Sequence, residues 1–243
     1  MVFLHPLPHD LTAWRFQVAS FGARARTIAI DLPGHGRSPR ARTGITLPEV
    51  AAACWDVADE VAPGLPIVLV GCSVGSTIAK YMVNARPAQV TALVLTGGGF
   101  HEGPKGIAAR HVAAYRERGL AHKREHLAAN FSPAFRGSPT ARSFIDLAME
   151  RNAAGDADGT VQLMLALDPA DPEWLHPGIT VPTLIVTGGR DGSLAAQAAL
   201  HQRIPGSVHR VIEGAGHCCN IEEPLEYDRL VTDFLDRQGA LAD

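Results

Sequence analysis

The chain has 243 residues, 46% of them apolar and 19% charged, which supports one sizeable core, alone or with a smaller inserted lobe, and excludes a disordered chain. A net charge of −3, with no basic tract and no aromatic RNA-binding signature, gives no reason to expect nucleic acid. No apolar run approaches the ~20 residues that span a bilayer, so no membrane partner is expected. Met1 to Leu4 is too short and uncharged for a signal peptide. The four cysteines, Cys54, Cys72, Cys218 and Cys219, have neither framework nor zinc-ligand spacing, which points to the reducing cytoplasm, to no metal and to no cofactor. The expected partner is a small molecule.

Six short apolar runs recur along the chain, each followed by turn residues: VFL before His5, TIAI before Asp31, PIVLV before Gly71, ALVLT before Gly97, PTLIV before Thr187 and HRVI before Glu213. They read as strands buried on both faces. The first is followed at once by HPLPHD, His5 to Asp10, where proline removes backbone donors and stiffens the chain. Leu7, flanked by Pro6 and Pro8, keeps its N–H. Between the second and third runs, TLPEVAAACWDVADEV carries Val50, Cys54, Val57 and Val61 on one helical stripe, and Thr46 and Glu49 have capping-box spacing. Strand then helix, repeated, predicts a mostly parallel α/β sheet with helices on both faces and functional loops at the carboxyl ends of its strands.

The rhythm breaks from about His101 to His176, where the pattern is helical only, as in GIAARHVAAYRERG and SPTARSFIDLAMERN. This predicts a core of residues 1–99 and 177–243 with an inserted helical cap over 100–176. The first part of the cap carries Lys105, Arg110, Arg116, Arg118, Lys123 and Arg124 against Glu102, Glu117 and Glu125, with His101, His111, His122 and His126 among them. These charges read either as a solvated face or as cations that meet an anionic substrate.

GCSVG, Gly71 to Gly75, stands between a strand of β-formers and a helical pattern. A G-x-S-x-G run in that context is a nucleophile elbow that pushes the serine oxygen up from the sheet, which makes Ser73 the candidate nucleophile. A serine hydroxyl needs a base, and the base an orienter. His217, in EGAGHCCNIEEP after the last strand, supplies the base, and Asp191, in VTGGRDGS after the preceding strand, the acid. His5 and His35 share the rim but read as scaffolding.

Four ordered motifs, DLPGHGRS from Asp31, GCSVGS from Gly71, GGRD from Gly188 and GAGHCCNIEEP from Gly214, resemble those of the α/β-hydrolase superfamily over nearly the whole chain. Within it the sequence is most similar to small capped serine esterases and lactonases of the 3-oxoadipate enol-lactonase-like group. The resemblance implies an oxyanion hole built from the backbone N–H groups of Leu7 and Val74, with Pro6 standing where the family usually has glycine and the Leu7 side chain free to vary. It also implies hydrolysis of a small ester or lactone through an acyl-enzyme, and a serine at the elbow argues against haloalkane dehalogenase and epoxide hydrolase chemistry. A triad-bearing lyase or C–C bond hydrolase and a slow-turnover ligand sensor stay open. The family commonly places a β-hairpin before the first buried strand, so one sheet edge is expected to be shorter. Cys72, Cys218 and Cys219, beside the candidate nucleophile and base, read as small packing residues whose oxidation would silence the site.

Overall fold

The computed structural model describes residues 1–98, 106–151, 157–167 and 173–241. All six apolar runs form strands: β1 (Val2–Leu4), β2 (Ile28–Ile30), β3 (Ile67–Cys72), β4 (Val90–Thr96), β5 (Thr183–Gly188) and β6 (Val208–Ile212). They make one sheet in the order β2-β1-β3-β4-β5-β6, and every neighbouring pair is parallel. The helices are α1 (Arg15–Phe21), α2 (Leu47–Val61), α3 (Val74–Ala85), α4 (Ile107–Arg118), α5 (Leu120–Ala129), α6 (Pro139–Arg151), α7 (Asp158–Leu167), α8 (Leu194–Arg203), the short α9 (Cys219–Glu222) and α10 (Pro224–Arg237).

Side chains alternate along each strand, so the two faces of the sheet feed two cores. Val2, Leu4, Leu69, Leu93 and Ile185 pack with α2, α3 and α8 on one side. Phe3, Val70, Val94 and Val186 pack with Trp14, Phe21, Tyr227 and Phe234 of the other layer. Two details correct the sequence reading. β6 is an edge strand whose His209 is half-buried and whose Arg210 and Val211 are exposed, because among the described residues no strand pairs beyond it. On α2 the buried stripe runs through Val50, Ala51, Cys54, Trp55 and Ala58, while Val57 and Val61 are exposed. The helix is rolled so that Trp55 docks on α3, where its Nε1–H donates to the Met82 carbonyl at 3.1 Å. The capping box forms as the spacing requires, with the Thr46 N–H and hydroxyl both donating to Glu49 Oε2 at 2.9 and 2.7 Å.

Between β4 and β5 the described residues contain α4 to α7 and no strand. This excursion is tied to the carboxyl rim. Arg151, closing α6, bridges Asp10 and Asp31 with contacts of 2.8 and 3.0 Å. Leu127, Phe131, Phe144 and Ala148 pack in a third core with Cys218 and Ile221 from the loop after β6. His101, Glu102 and Lys105 lie outside the described residues.

Candidate active site

The elbow is built by close backbone approach. Ser73 has φ of +56°, the one positive φ at a non-glycine residue among the described residues, a conformation that costs about 1–3 kcal/mol and persists only where its surroundings enforce it. They do so with glycines: a Cβ on Gly75 would overlap the Leu4 carbonyl, and one on Gly71 the Gly75 carbonyl. The Ser73 N–H donates to the Thr96 carbonyl at 2.7 Å. The Ser76 hydroxyl accepts from the Thr96 N–H at 3.0 Å and sits 2.8 Å from the Gly71 carbonyl. Ser73 is thereby fixed at the end of β3, against β4.

His217 and Asp191 come from the loops after β6 and β5, and His217 Nδ1 lies 2.9 Å from Asp191 Oδ2. Asp191 also accepts the Ser193 N–H at 2.9 Å and hydroxyl at 2.8 Å, so its orientation is fixed from both sides. Burial by itself would push the His217 imidazole down, yet the Asp191 carboxylate raises it to about 9. Burial would raise Asp191, but the His217 charge and its hydrogen bond bring the carboxyl down to about 2. The two values describe one pair in which the imidazolium is stabilised. Gly97, following Thr96, lies directly beneath: a Cβ there would stand 2.6 Å from His217 Cε1. Ser73 is thus tied to Thr96 at the end of β4, and His217 stands over the next residue, Gly97. The His217 loop is held by Glu222, which accepts from the Gly216 and Ser132 N–H groups at 2.9 and 2.8 Å and from the Ser132 hydroxyl at 2.6 Å.

The opening loop is held by its own His5, by the ring of His35 set 5.2 Å from that of His5, and by Asn130. His5 Nε2 accepts the Leu32 N–H at 2.9 Å, so Nδ1 carries the proton and donates to the Pro6 carbonyl at 3.0 Å. Burial keeps this ring neutral, its pKa lowered to about 4. His35 is pinned likewise, donating from Nδ1 to the Pro33 carbonyl at 3.1 Å. Both histidines scaffold the rim as expected. The third contact comes from Asn130, whose Nδ2 donates to the Leu7 carbonyl at 2.8 Å. Among the described residues no hydrogen bond takes the Leu7 N–H, and Val74 opens α3, where the first N–H groups lack intrahelical partners. One expectation fails: the Leu7 side chain is not free to vary but is 3% exposed within the core, because the loop turns inward.

Cys72, Cys218 and Cys219 are free and buried, as packing residues. Cys218 Sγ lies 3.8 Å from His9 Nε2. Of the cap cations, Arg110, Arg116, Arg118 and Arg124 are exposed, and Arg118 and Arg124 pair with Glu125 and Asp146. They form a solvated face. Lys123 differs: it is 2% exposed, accepts no counter-ion within hydrogen-bond reach among the described residues, and is lowered to about 8 by burial, against the pull of Asp10. A cleft of about 620 Å³ lined by Thr43, Leu47, Tyr81, Arg116 and Gln162 contains none of Ser73, Asp191 and His217, so it is separate from this site. Asn130 carried no sequence signal, while Gly97 showed only as a turn residue, Glu222 only as a motif position and Lys123 only as one cap cation among several, since each acts through a partner distant in the chain.

A parallel sheet with a strained serine elbow after a central strand, and an Asp–His pair after the last two, defines a class. The chain belongs to the alpha/beta hydrolase family, which its residues 1–230 match. A pimeloyl-(acyl-carrier protein) methyl ester esterase of Neisseria meningitidis serogroup B / serotype 15 (strain H44/76) is 29% identical over 220 residues, covering 86% of this chain and 81% of that protein. The 3-oxoadipate enol-lactonase 2 of Acinetobacter baylyi is 23% identical over 242 residues, covering 98% and 88%. The enol-lactonase structure from Burkholderia xenovorans LB400 shares the fold with a TM-score of 0.84 at 24% identity, covering 97% of this chain and 90% of that one. No helix among the described residues is long and apolar enough to cross a membrane.

Proposed function

We propose that this protein is a serine hydrolase that cleaves a small-molecule ester or lactone through an acyl-enzyme, with Ser73 as nucleophile, His217 as base and Asp191 as orienter. The observation that carries the reading is the 2.9 Å His217–Asp191 pair set beside a serine in a strained elbow. The esterase and lactonase relatives support ester-bond chemistry.

In this reading the Ser73 oxygen attacks the carbonyl carbon while its proton passes to His217 Nε2, leaving an imidazolium that Asp191 stabilises. The carbonyl oxygen becomes an oxyanion facing the Leu7 and Val74 N–H groups, each such donor being worth about 3 kcal/mol. Collapse expels the alcohol oxygen, which takes the proton from His217. Water then repeats the sequence on the acyl-enzyme, releasing the acid and restoring Ser73. The helices between β4 and β5 serve as the cap, and Lys123, whose neighbours on the inner face of α5 include His126 and Asn130, receives a carboxylate of the substrate. Its buried ammonium gains a partner only when such a group is bound. Four free, buried cysteines fit the cytoplasm.

The test is turnover of a panel of acyl esters and lactones, each in matched neutral and carboxylate-bearing forms. Hydrolysis lost in Ser73→Ala, with the preference for the anionic member lost in Lys123→Met, is the expected result. Product formation by C–C cleavage or elimination, or tight binding without turnover, would replace it with the lyase, C–C hydrolase or sensor alternative.

A further inference from the structure

The helical excursion holds a histidine cluster that acyl transfer does not use. His122 and His126 are four residues apart on α5 and share its inner face, the i, i+4 spacing by which a helix presents two imidazoles to one ion. His111 faces them from α4, and one ring nitrogen from each of the three lies within 4.8 Å of the other two. We propose that His111, His122 and His126 form a binding site for a divalent transition-metal ion of the zinc, cobalt or nickel kind.

The hydrogen bonds fix where the lone pairs point. His35 Nδ1 donates to the Pro33 carbonyl, so its Nε2 accepts from the Thr160 hydroxyl at 3.0 Å. The Tyr115 hydroxyl engages His126 Nδ1 at 2.9 Å. This leaves His126 Nε2 as the nitrogen that can meet an ion, and no hydrogen bond among the described residues occupies it. On the other side Arg118, which has only donors, gives one to His122 Nδ1 at 2.8 Å. His122 Nε2 therefore carries the proton it shares with His111 Nδ1 at 3.0 Å. That separation is close to the ~3.3 Å between two nitrogens on one tetrahedral ion with ~2.05 Å bonds.

Binding asks for one proton to move. The His122 proton passes from Nε2 to Nδ1, so the ring stays neutral and Nε2 becomes a ligand. Nδ1–H then faces Glu125 Oε2, now 3.5 Å away, which makes the carboxylate–histidine–metal pairing that orients bound imidazoles. Arg118 keeps its two contacts of 2.7 and 2.6 Å to Glu125 and gives up the one to His122. Three imidazoles without carboxylate ligands select zinc, cobalt, nickel or copper over magnesium or calcium. Three protein ligands leave a fourth position for water.

The experiment titrates chelator-treated protein with Zn²⁺ by calorimetry and with Co²⁺ by visible absorption, which reports tetrahedral coordination. One ion per chain is expected, with affinity lowered about 10- to 100-fold in Glu125→Gln and further in His122→Gln and His126→Gln. His209→Gln should bind as the parent does. Arg118→Gln, which removes no metal ligand and frees His122 Nδ1 from its 2.8 Å contact, should bind at least as tightly, so it reads the site even if a histidine variant folds poorly. Zn²⁺ should raise the thermal midpoint of the parent and not of His126→Gln. Less than one ion per chain, unchanged affinity in His126→Gln, or binding lost in Arg118→Gln would overturn the proposal.

Discussion

Adding a single methyl group at Gly97 tests whether the position of His217 governs reaction at Ser73. A Cβ at this position would stand 2.6 Å from His217 Cε1, 2.8 Å from Nδ1 and 3.3 Å from Asp191 Oδ2. Ordinary carbon contacts begin near ~3.5 Å, so the ring must retreat by about 0.9 Å. The imidazole cannot do that and keep both its 2.9 Å bond to Asp191 and its alignment with the nucleophile. A displacement of ~1 Å in a reacting group costs about 10²-fold in rate, or about 2.7 kcal/mol of barrier. The backbone contributes separately: Gly97 has φ of +58°, where an L-residue costs roughly 1–2 kcal/mol of stability. Gly206→Ala separates the two effects, because its φ is +72° and its Cβ would meet nothing within 4 Å. Both variants should melt earlier than the parent, and only Gly97→Ala should lose rate. The assay is the rate of covalent addition of a fluorophosphonate at Ser73, followed by intact mass, which needs no knowledge of the substrate. A folded Gly97→Ala protein that labels within about threefold of the parent would refute the argument.

Four further outcomes are expected. Only neutral His217 can accept a proton, and Asp191 raises that imidazole to about 9, so the rate should fall as pH drops through a limb lying above the ordinary histidine value of 6.5. In Asp191→Asn the main influence raising His217 is gone and burial opposes its charge, so that limb should move to lower pH; an unmoved limb would exclude His217 as its source. The same pair should stabilise the fold fully between about 4 and 6.5, losing its contribution as pH rises through about 9 and, on the acid side, as pH falls through about 2, a dependence that Asp191→Asn should flatten in thermal melts read from about 4 to 10. Leu7→Ala should destabilise the protein by about 2–5 kcal/mol because its side chain is buried, while Leu7→Pro, if folded, should lose about 10²–10³ in turnover with the N–H; equal rates in the two would remove Leu7 from the oxyanion hole. Arg151→Met leaves Asp10 and Asp31 facing each other without their shared cation and should cost about 3–5 kcal/mol by denaturant titration, a loss under 1 kcal/mol showing the bridge to be solvent-screened.

What the sequence disclosed and what it withheld divide along physical lines. Runs of β-formers were legible as strands at all six places, the half-exposed edge strand β6 included, and with them the rim on which loops carrying Ser73, Asp191 and His217 would gather. The elbow was legible because its strain demands glycine at Gly71 and Gly75. The roll of α2 was not, since Trp55 docks on a carbonyl of a helix 27 residues on, and a stripe of valines reads the same whichever way the helix turns. Lys123 looked like one cation among six. Only packing distinguishes a buried ammonium from the solvated arginines beside it, and that packing, like the electrostatic pull of Asp10 on Lys123, comes from residues far away in the chain. Asn130 is silent for the same reason.

Asn130 also divides the roof of the site into two kinds of wall. Its side chain holds the Leu7 carbonyl, and its own carbonyl accepts the Cys218 N–H at 3.0 Å, next to His217. The end of α5 is therefore a strut between the loop that carries Leu7 and the loop that carries His217, and it cannot swing away without disturbing both. The helix α7 meets the rim by another route, through Thr160, whose hydroxyl lies 3.0 Å from His35 Nε2. Drift at the end of α5 would change the rate for every substrate at once.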